Sequence, residues 1–181
     1  SNSPYGLCFP LPCINTPPVS ISGSVLSFNI DVQNQGTAVA PVSELGYYLS
    51  PNTTIAPCCQ DILLATDQVD GGILPSLPSP ITLGLFPGVT SNEVETIDLA
   101  DPAFNTIANG TYYIGVYLDK NYVINETNEA SNNAVALQYY NVINSITGSP
   151  VYNYYQITIQ RGCMDSLATN YDPTANVPGV S

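Results

Sequence analysis

The feature that most constrains this chain is a period of two. Along Val25–Gln33, Leu26, Phe28, Ile30 and Val32 alternate without a slip against Ser27, Asn29, Asp31 and Gln33. Successive side chains of a strand point to opposite faces, so this pattern makes a strand with one buried and one wet face. The period recurs. Residues 44–50 set Leu45, Tyr47 and Leu49 in phase, and residues 111–119 do the same with Tyr112, Ile114, Val116 and Leu118. Residues 62–66, 81–86, 89–99 and 134–142 supply further apolar runs, with 81–86 and 89–99 expected to pair around Pro87-Gly88. Turn signals separate them: Asn34-Gln35-Gly36, the loop 51–57, Asp70-Gly71-Gly72 and Asn109-Gly110. No segment carries apolar residues at the 3.6-residue period of a helix. About seven short strands at this spacing predict an all-β fold, an immunoglobulin-like antiparallel sandwich of two sheets.

The ends of the chain read differently from its middle. Residues 1–18 hold Pro4, Pro10, Pro12, Pro17 and Pro18, which forbid a helix and predict an extended arm. Residues 19–142 form the sandwich. Residues 143–161 form a break followed by an extra strand, and 162–181 a small polar unit containing one cysteine. In the extra strand Tyr155, Ile157 and Ile159 share one face, and Tyr152 and Tyr154 the other. Together with Val151 these residues are candidates for strand donation. The strand pairs either with an edge of its own sandwich or with a sheet of a neighbouring subunit, and the second arrangement builds head-to-tail assemblies.

Charge narrows the function. Charged residues make up 9% of the chain, against roughly 25% in ordinary globular proteins. The net charge is −12, and Lys120 and Arg161 are the cationic side chains. Such a chain cannot neutralise a phosphate backbone, which excludes nucleic acid as a direct partner. It gains nothing at an anionic membrane surface. No apolar run reaches the length of a membrane-spanning helix, so no membrane insertion is expected. A surface wetted by Asn, Ser, Thr and Tyr rather than by charge is poorly protected against self-association.

Catalysis finds few tools here. Without histidine, no Ser-His or Cys-His nucleophile can be built. Glu93 with Glu95, or Glu126 with Glu129, supplies a carboxylate pair of the kind glycoside hydrolysis uses, but no aromatic cleft accompanies either. The expectation is a protein that is not an enzyme. The acidic turn Asp119, Asn121, Asn125, Glu126 and Glu129 offers oxygen ligands suited to calcium. The same side chains also satisfy turn backbone without any metal. A second oxygen-rich set, Asp165, Asn170, Asp172 and Asn176, is open to the same two readings. Asn52, Asn109 and Asn125 head N-x-S/T sequons and are candidate glycosylation positions, although such triplets arise by chance in an Asn-rich chain. Five cysteines, Cys8, Cys13, Cys58, Cys59 and Cys163, form no C-x-x-C pair, so disulfides in an oxidising, extracellular compartment are expected rather than a zinc site.

Several of these segments, in order, resemble the CARDB family, the cell-adhesion-related domain of bacterial surface proteins. They are the strand running into Asn34-Gln35-Gly36, Tyr47-Tyr48-Leu49-Ser50, Gly110-Thr111-Tyr112-Tyr113-Ile114, and the acidic Asn-rich turn from Asp119 through Val123, Glu126, Asn128 and Glu129 to Asn132-Asn133. The spacing departs from the family pattern, since two residues separate Val123 from Glu126 and Glu129 from Asn132. The resemblance covers about residues 19–142. It implies a seven-stranded immunoglobulin-like sandwich with an extracellular, non-catalytic role.

The tail, Gly162-Cys163-Met164-Asp165 through Ala168, Asn170-Tyr171-Asp172-Pro173 and Ala175, resembles a G-C-x-D-x-x-A-x-N-Y-D-P-x-A repeat of secreted bacterial proteins. In that repeat a closing cysteine follows, which implies that Cys163 pairs with a residue beyond Ser181. Cys8, Cys13, Cys58 and Cys59 then allow three pairings, and two bridges from the arm to the 51–60 loop avoid a strained vicinal disulfide. These readings lead to a secreted structural or adhesive module, a subunit of a surface assembly or filament that self-associates by strand addition. Surface glycans or other surface proteins are further candidate partners. The alternative is a calcium-dependent carbohydrate-binding module using some of the thirteen tyrosines.

Overall fold

The computed structural model describes residues 6–7, 18–34, 36–56, 60–74, 81–121, 134–143 and 150–179. Two antiparallel sheets face each other. The first is built on β3 (Val25–Gln33), the strand whose alternation is cleanest. β1 (Gly6–Leu7) and β2 (Val19–Ser22) share one of its edges: Gly6 and Leu7 pair with Gln33 and Val32, and Val19 to Ser22 with Phe28 to Val25. On the other edge, β8 (Thr90–Asp98) pairs along the full length, from Val25 against Asp98 to Gln33 against Thr90.

The second sheet has two central strands. β4 (Ser43–Ser50) pairs on its outer side with β5 (Ile62–Val69), with a bulge after Tyr47, and on its inner side with β9 (Gly110–Leu118). Beyond β9 lie two short strands in line, β10 (Ala134–Ala136) and β13 (Gln156–Ile159). Between these two in the chain, β11 (Gln138–Ile143) and β12 (Pro150–Tyr154) pair with each other as a separate two-stranded ribbon. The remaining pairs are small: β6 (Ile73–Leu74) with β7 (Ile81–Thr82), and β14 (Arg161–Gly162) with β15 (Val177–Pro178), the latter parallel.

The core is what the period of two predicts. Leu26, Phe28, Ile30 and Val32 from the first sheet meet Leu45, Tyr47, Leu49, Ile114, Val116 and Leu118 from the second, all buried. The Phe28 and Tyr47 rings lie 4.7 Å apart, centroid to centroid, with planes at 51°. The second sheet is covered on its other face too, where Tyr48, Ile55, Tyr117 and Ala136 form a smaller cluster. That is why β4 is buried at nearly every position, a pattern usual for central strands.

One expected pairing does not form. Residues 81–86 and 89–99 do not make a hairpin; β8 turns instead to β3, and Leu85 exchanges backbone hydrogen bonds with Ala40. Asn34 accounts for this. It is fully buried, its Nδ2 donates to Ala38 O at 2.8 Å and Leu85 O at 2.7 Å, and its Oδ1 accepts from Gly36 N. One side chain thus holds the 34–40 turn against the 84–89 segment, and β8 is aimed along β3. Gly88 takes the left-handed φ of 76° that this turn needs.

Candidate functional site

The edge of the second sheet is interrupted in an orderly way. At the interruption the backbones of three residues form a closed ring of hydrogen bonds. Leu137 N donates to Ile114 O at 2.8 Å, Ile114 N to Tyr155 O at 3.0 Å, and Tyr155 N to Leu137 O at 2.8 Å. Each strand arriving at the junction therefore has its polar groups satisfied, as buried backbone requires. The register on either side is unbroken: Ala136 lies opposite Gly115, Leu137 fills the place opposite Ile114, and Gln156 lies opposite Tyr113. Residues 138–155 are thus an insertion into a single edge strand.

The strand-donor candidates divide at this junction. Ile157 and Ile159 are buried in the core of their own sandwich, and Tyr155 packs against it half-buried. β13 is further fastened by the Thr111 and Thr158 hydroxyls, 3.0 Å apart. Tyr154 lies at the base of the ribbon, exposed, with its ring edge-on to Tyr113 at 5.6 Å. Val151 and Tyr152 belong to β12, where their backbones pair with Val142 and Tyr140 across a bulge at Asn141.

The outer strands of the sandwich, β5 and β8, are built otherwise. Asp67 on β5 is half-buried beside Leu45, and Glu93 and Glu95 on β8 face inward opposite Ile30 and Phe28. Glu93 is only 5% exposed and accepts a hydrogen bond from Ser91 Oγ at 2.5 Å. Burial pushes its carboxyl up, against the Ser91 bond, with Asp67 and Asp70 adding to the rise. Burial likewise pushes the Tyr47 hydroxyl up, helped by Asp67, Glu93 and Glu95. That hydroxyl and the Ser43 hydroxyl are buried with no hydrogen-bond partner among the described residues. The Glu93/Glu95 pair is therefore part of the seam where the two sheets meet. Among the described residues no three acidic, histidine or cysteine side chains gather to hold a metal ion.

Other candidates fall partly outside the described residues. In the acidic turn, Asp119 is buried with a left-handed φ of 53°, and the neighbouring Lys120 Nζ meets Glu44 at 3.2 Å. Asn121 helps line an open polar cavity of about 560 Å³ with Glu44, Thr66, Asp67 and Gln68. Asn125, Glu126 and Glu129, and the cysteines Cys8, Cys13, Cys58 and Cys59, lie outside the described residues. Asn52 sits on an exposed loop, its Oδ1 accepting from Thr54 N. Asn109 Oδ1 accepts from Arg161 N at 2.9 Å.

Arg161 is the residue that sequence reasoning missed. Its Nε donates to Ile107 O at 3.1 Å, and one terminal nitrogen to Phe104 O at 2.6 Å and Leu99 O at 3.4 Å. The other reaches Pro178 O at 3.3 Å and Asn105 Oδ1 at 3.5 Å. The guanidinium fork thus clamps the 162–179 tail to the 99–107 loop, and Val177 is buried in the main core. Within the tail, Gly162 is required by close approach, since a Cβ there would lie 2.8 Å from Asp172. Asp165, Asp172 and Asn176 accept from Leu167 N, from Thr174 N and Oγ, and from Gln160 N. The Thr174 bonds hold the Asp172 carboxyl below its usual range. Asn170 lies in the same turn-rich unit, exposed. Cys163 is half-buried and forms no disulfide among the described residues. A lone arginine bonded to carbonyls leaves no sequence pattern; its rarity in an acidic chain was the one available signal.

The sequence model of the CARDB family matches residues 13–136. No match to a curated protein was found. Among solved structures the chain is similar to beta-glucosidase 3B from Thermotoga neapolitana in complex with glucose, at 14% identity and a TM-score of 0.39, covering 77% of this chain and 15% of that one. It is also similar to a beta-glucosidase from Kluyveromyces marxianus, at 12% identity and a TM-score of 0.40, covering 77% of this chain and 13% of that one.

Proposed function

The chain belongs to the CARDB family, and from that premise we propose that it is an extracellular subunit of a bacterial surface assembly or filament, joined to its neighbours by β-strand addition. The family is an adhesion-related, non-catalytic one, which fits a structural or adhesive module. Among the described residues no helix is long and apolar enough to cross a membrane. The observation that carries the reading is the β11–β12 ribbon, whose strands pair only with each other among the described residues. An edge whose backbone groups lack partners is a template for another chain. A disulfide-pinned arm through Cys8, Cys13, Cys58 and Cys59 would fit an oxidising exterior. Electron microscopy and sedimentation of the secreted protein test the reading. Ordered oligomers or filaments are expected, and a monomer at every concentration overturns it.

One observation favours a second reading. The polar cavity beside Asn121, lined by Glu44, Asp67 and Gln68, has the hydrogen-bonding character of a sugar site, and the acidic turn that follows offers calcium ligands. Glycan binding that disappears on chelation would support a calcium-dependent carbohydrate-binding module; an array with no calcium-dependent signal would exclude it.

A further inference from the structure

We infer that the β11–β12 ribbon is an insertion dedicated to self-association, and that its partner is the ribbon of a second copy of this chain, joined edge to edge through main-chain hydrogen bonds. The inference rests on the assembly reading above and names its contact surface. Three observations carry it.

The first is that the ribbon is separable from the fold. Leu137 and Gln156 occupy consecutive places opposite Ile114 and Tyr113, so joining them would leave one continuous edge strand in register with β9. Closing that edge against β9 does not require the two ribbon strands.

The second is that the outer edges of the ribbon are unpaired among the described residues. An isolated two-stranded ribbon is marginal in water and ordinarily needs a third strand or a packing surface. Beyond its base, where Tyr154 meets Tyr113, no other element among the described residues pairs along it. A strand from another chain would supply a third strand.

The third is charge, which selects the partner. Residues 130–160 carry no charged side chain in a chain of net charge −12. Like-charge repulsion, which opposes contact between copies elsewhere, does not act between two ribbons. Three other edges are guarded or broken up. β5 and β8 carry the inward carboxylates Asp67, Glu93 and Glu95, a known device against strand addition. β1 and β2 divide one edge of β3 into pieces of two and four residues. Within the ribbon, the bulge at Asn141 disrupts the edge of β11, while β12 is regular. Pairing through one edge of each ribbon gives a two-fold dimer; using both edges gives an open stack.

Sedimentation across a concentration series tests this on three proteins: the wild type, a deletion of residues 138–155 joining Leu137 to Gln156, and the double variant N141E/N153E. The double variant places carboxylates on both strands so that two ribbons repel. The wild type is expected to form dimers or longer species. Both variants, folded as judged by cooperative thermal unfolding, are expected to associate at least about tenfold more weakly. If the folded deletion variant associates like the wild type, the ribbon is not the contact surface, and the assembly reading survives. Should the deletion variant fail to fold, the double variant decides by the same criterion. A wild type that stays monomeric overturns both.

Discussion

Strand β8 and the ribbon β11–β12 are both outer strands, and they treat water and neighbours in opposite ways. β8 runs nine residues against β3, and it turns Ser91, Glu93 and Glu95 toward the interior. A second chain adding to that edge would have to bury more of a carboxylate seam already short of cations. The ribbon has no such guard. It consists of Gln, Tyr, Asn, Val, Ile and Pro, and its uncharged stretch ends only at Arg161. The difference teaches that the acidity of this chain is distributed with respect to its edges. The carboxylates guard β5 and β8 against strand addition, and the ribbon carries none.

The largest effect comes from removing what both regions share. Ile114 is fully buried in the core, and its backbone joins the three-way junction. Ile114→Ala should cost about 2–5 kcal/mol, read by urea unfolding. The ribbon and sandwich should then unfold together; a ribbon that melts separately, at unchanged sandwich stability, would break the picture of a shared junction.

Next in size is the tail clamp. Arg161→Ala removes charge-assisted hydrogen bonds from the carbonyls of Leu99, Phe104 and Ile107, and should cost about 2 kcal/mol. Arg161→Lys should rescue little of it, because a lysine lacks the planar fork. Thermal melts with limited proteolysis of the 162–179 tail check both, and full rescue by lysine would show that charge alone fastens the tail.

The guard itself can be removed. Glu93→Val with Glu95→Val should leave the sandwich folded and turn β8 into a sticky edge, giving association that survives deletion of residues 138–155. If that protein stays monomeric, the inward carboxylates are not what protects β8.

The smallest effect is a pH dependence. Glu93 has its folded pKa raised above the ordinary glutamate value, chiefly by burial. Its protonated form therefore favours the fold, a contribution fully present below the unfolded pKa and lost as pH rises through the folded one. Glu93→Gln should accordingly be more stable than the wild type at neutral pH, with the difference shrinking as the pH falls through the raised Glu93 pKa toward the ordinary glutamate value and levelling off below it. Paired denaturation curves from pH 7 down to pH 4 read the difference, and a gap that widened on acidification would have the wrong sign.

Much of the sandwich was legible in the sequence because it follows one rule. Val25–Gln33 alternates so cleanly that strand, face and core membership follow together. The CARDB resemblance agrees with the residues the family model matches. The partner of β8 was not legible, because Pro87-Gly88 signals a local hairpin while the choice is made by the buried amide of Asn34, whose bonds span 51 residues. The insertion was nearly legible. The apolar phase slips between Tyr154 and Tyr155, and a slip within a strand marks a change of face or of sheet. Alternation alone cannot say which strand lies alongside, so the run 151–160 reads as one strand where the chain makes two.

The central claim is that the open edge of β12 finds its partner on another copy. Hydrogen exchange of the amides of residues 151–154, followed from dilute to concentrated protein, tests it most directly. The account predicts exchange that slows at least about tenfold as the species grows, while amides of β8 stay constant. Rapid exchange in β12 at every concentration, with new protection appearing along β8 instead, would contradict it.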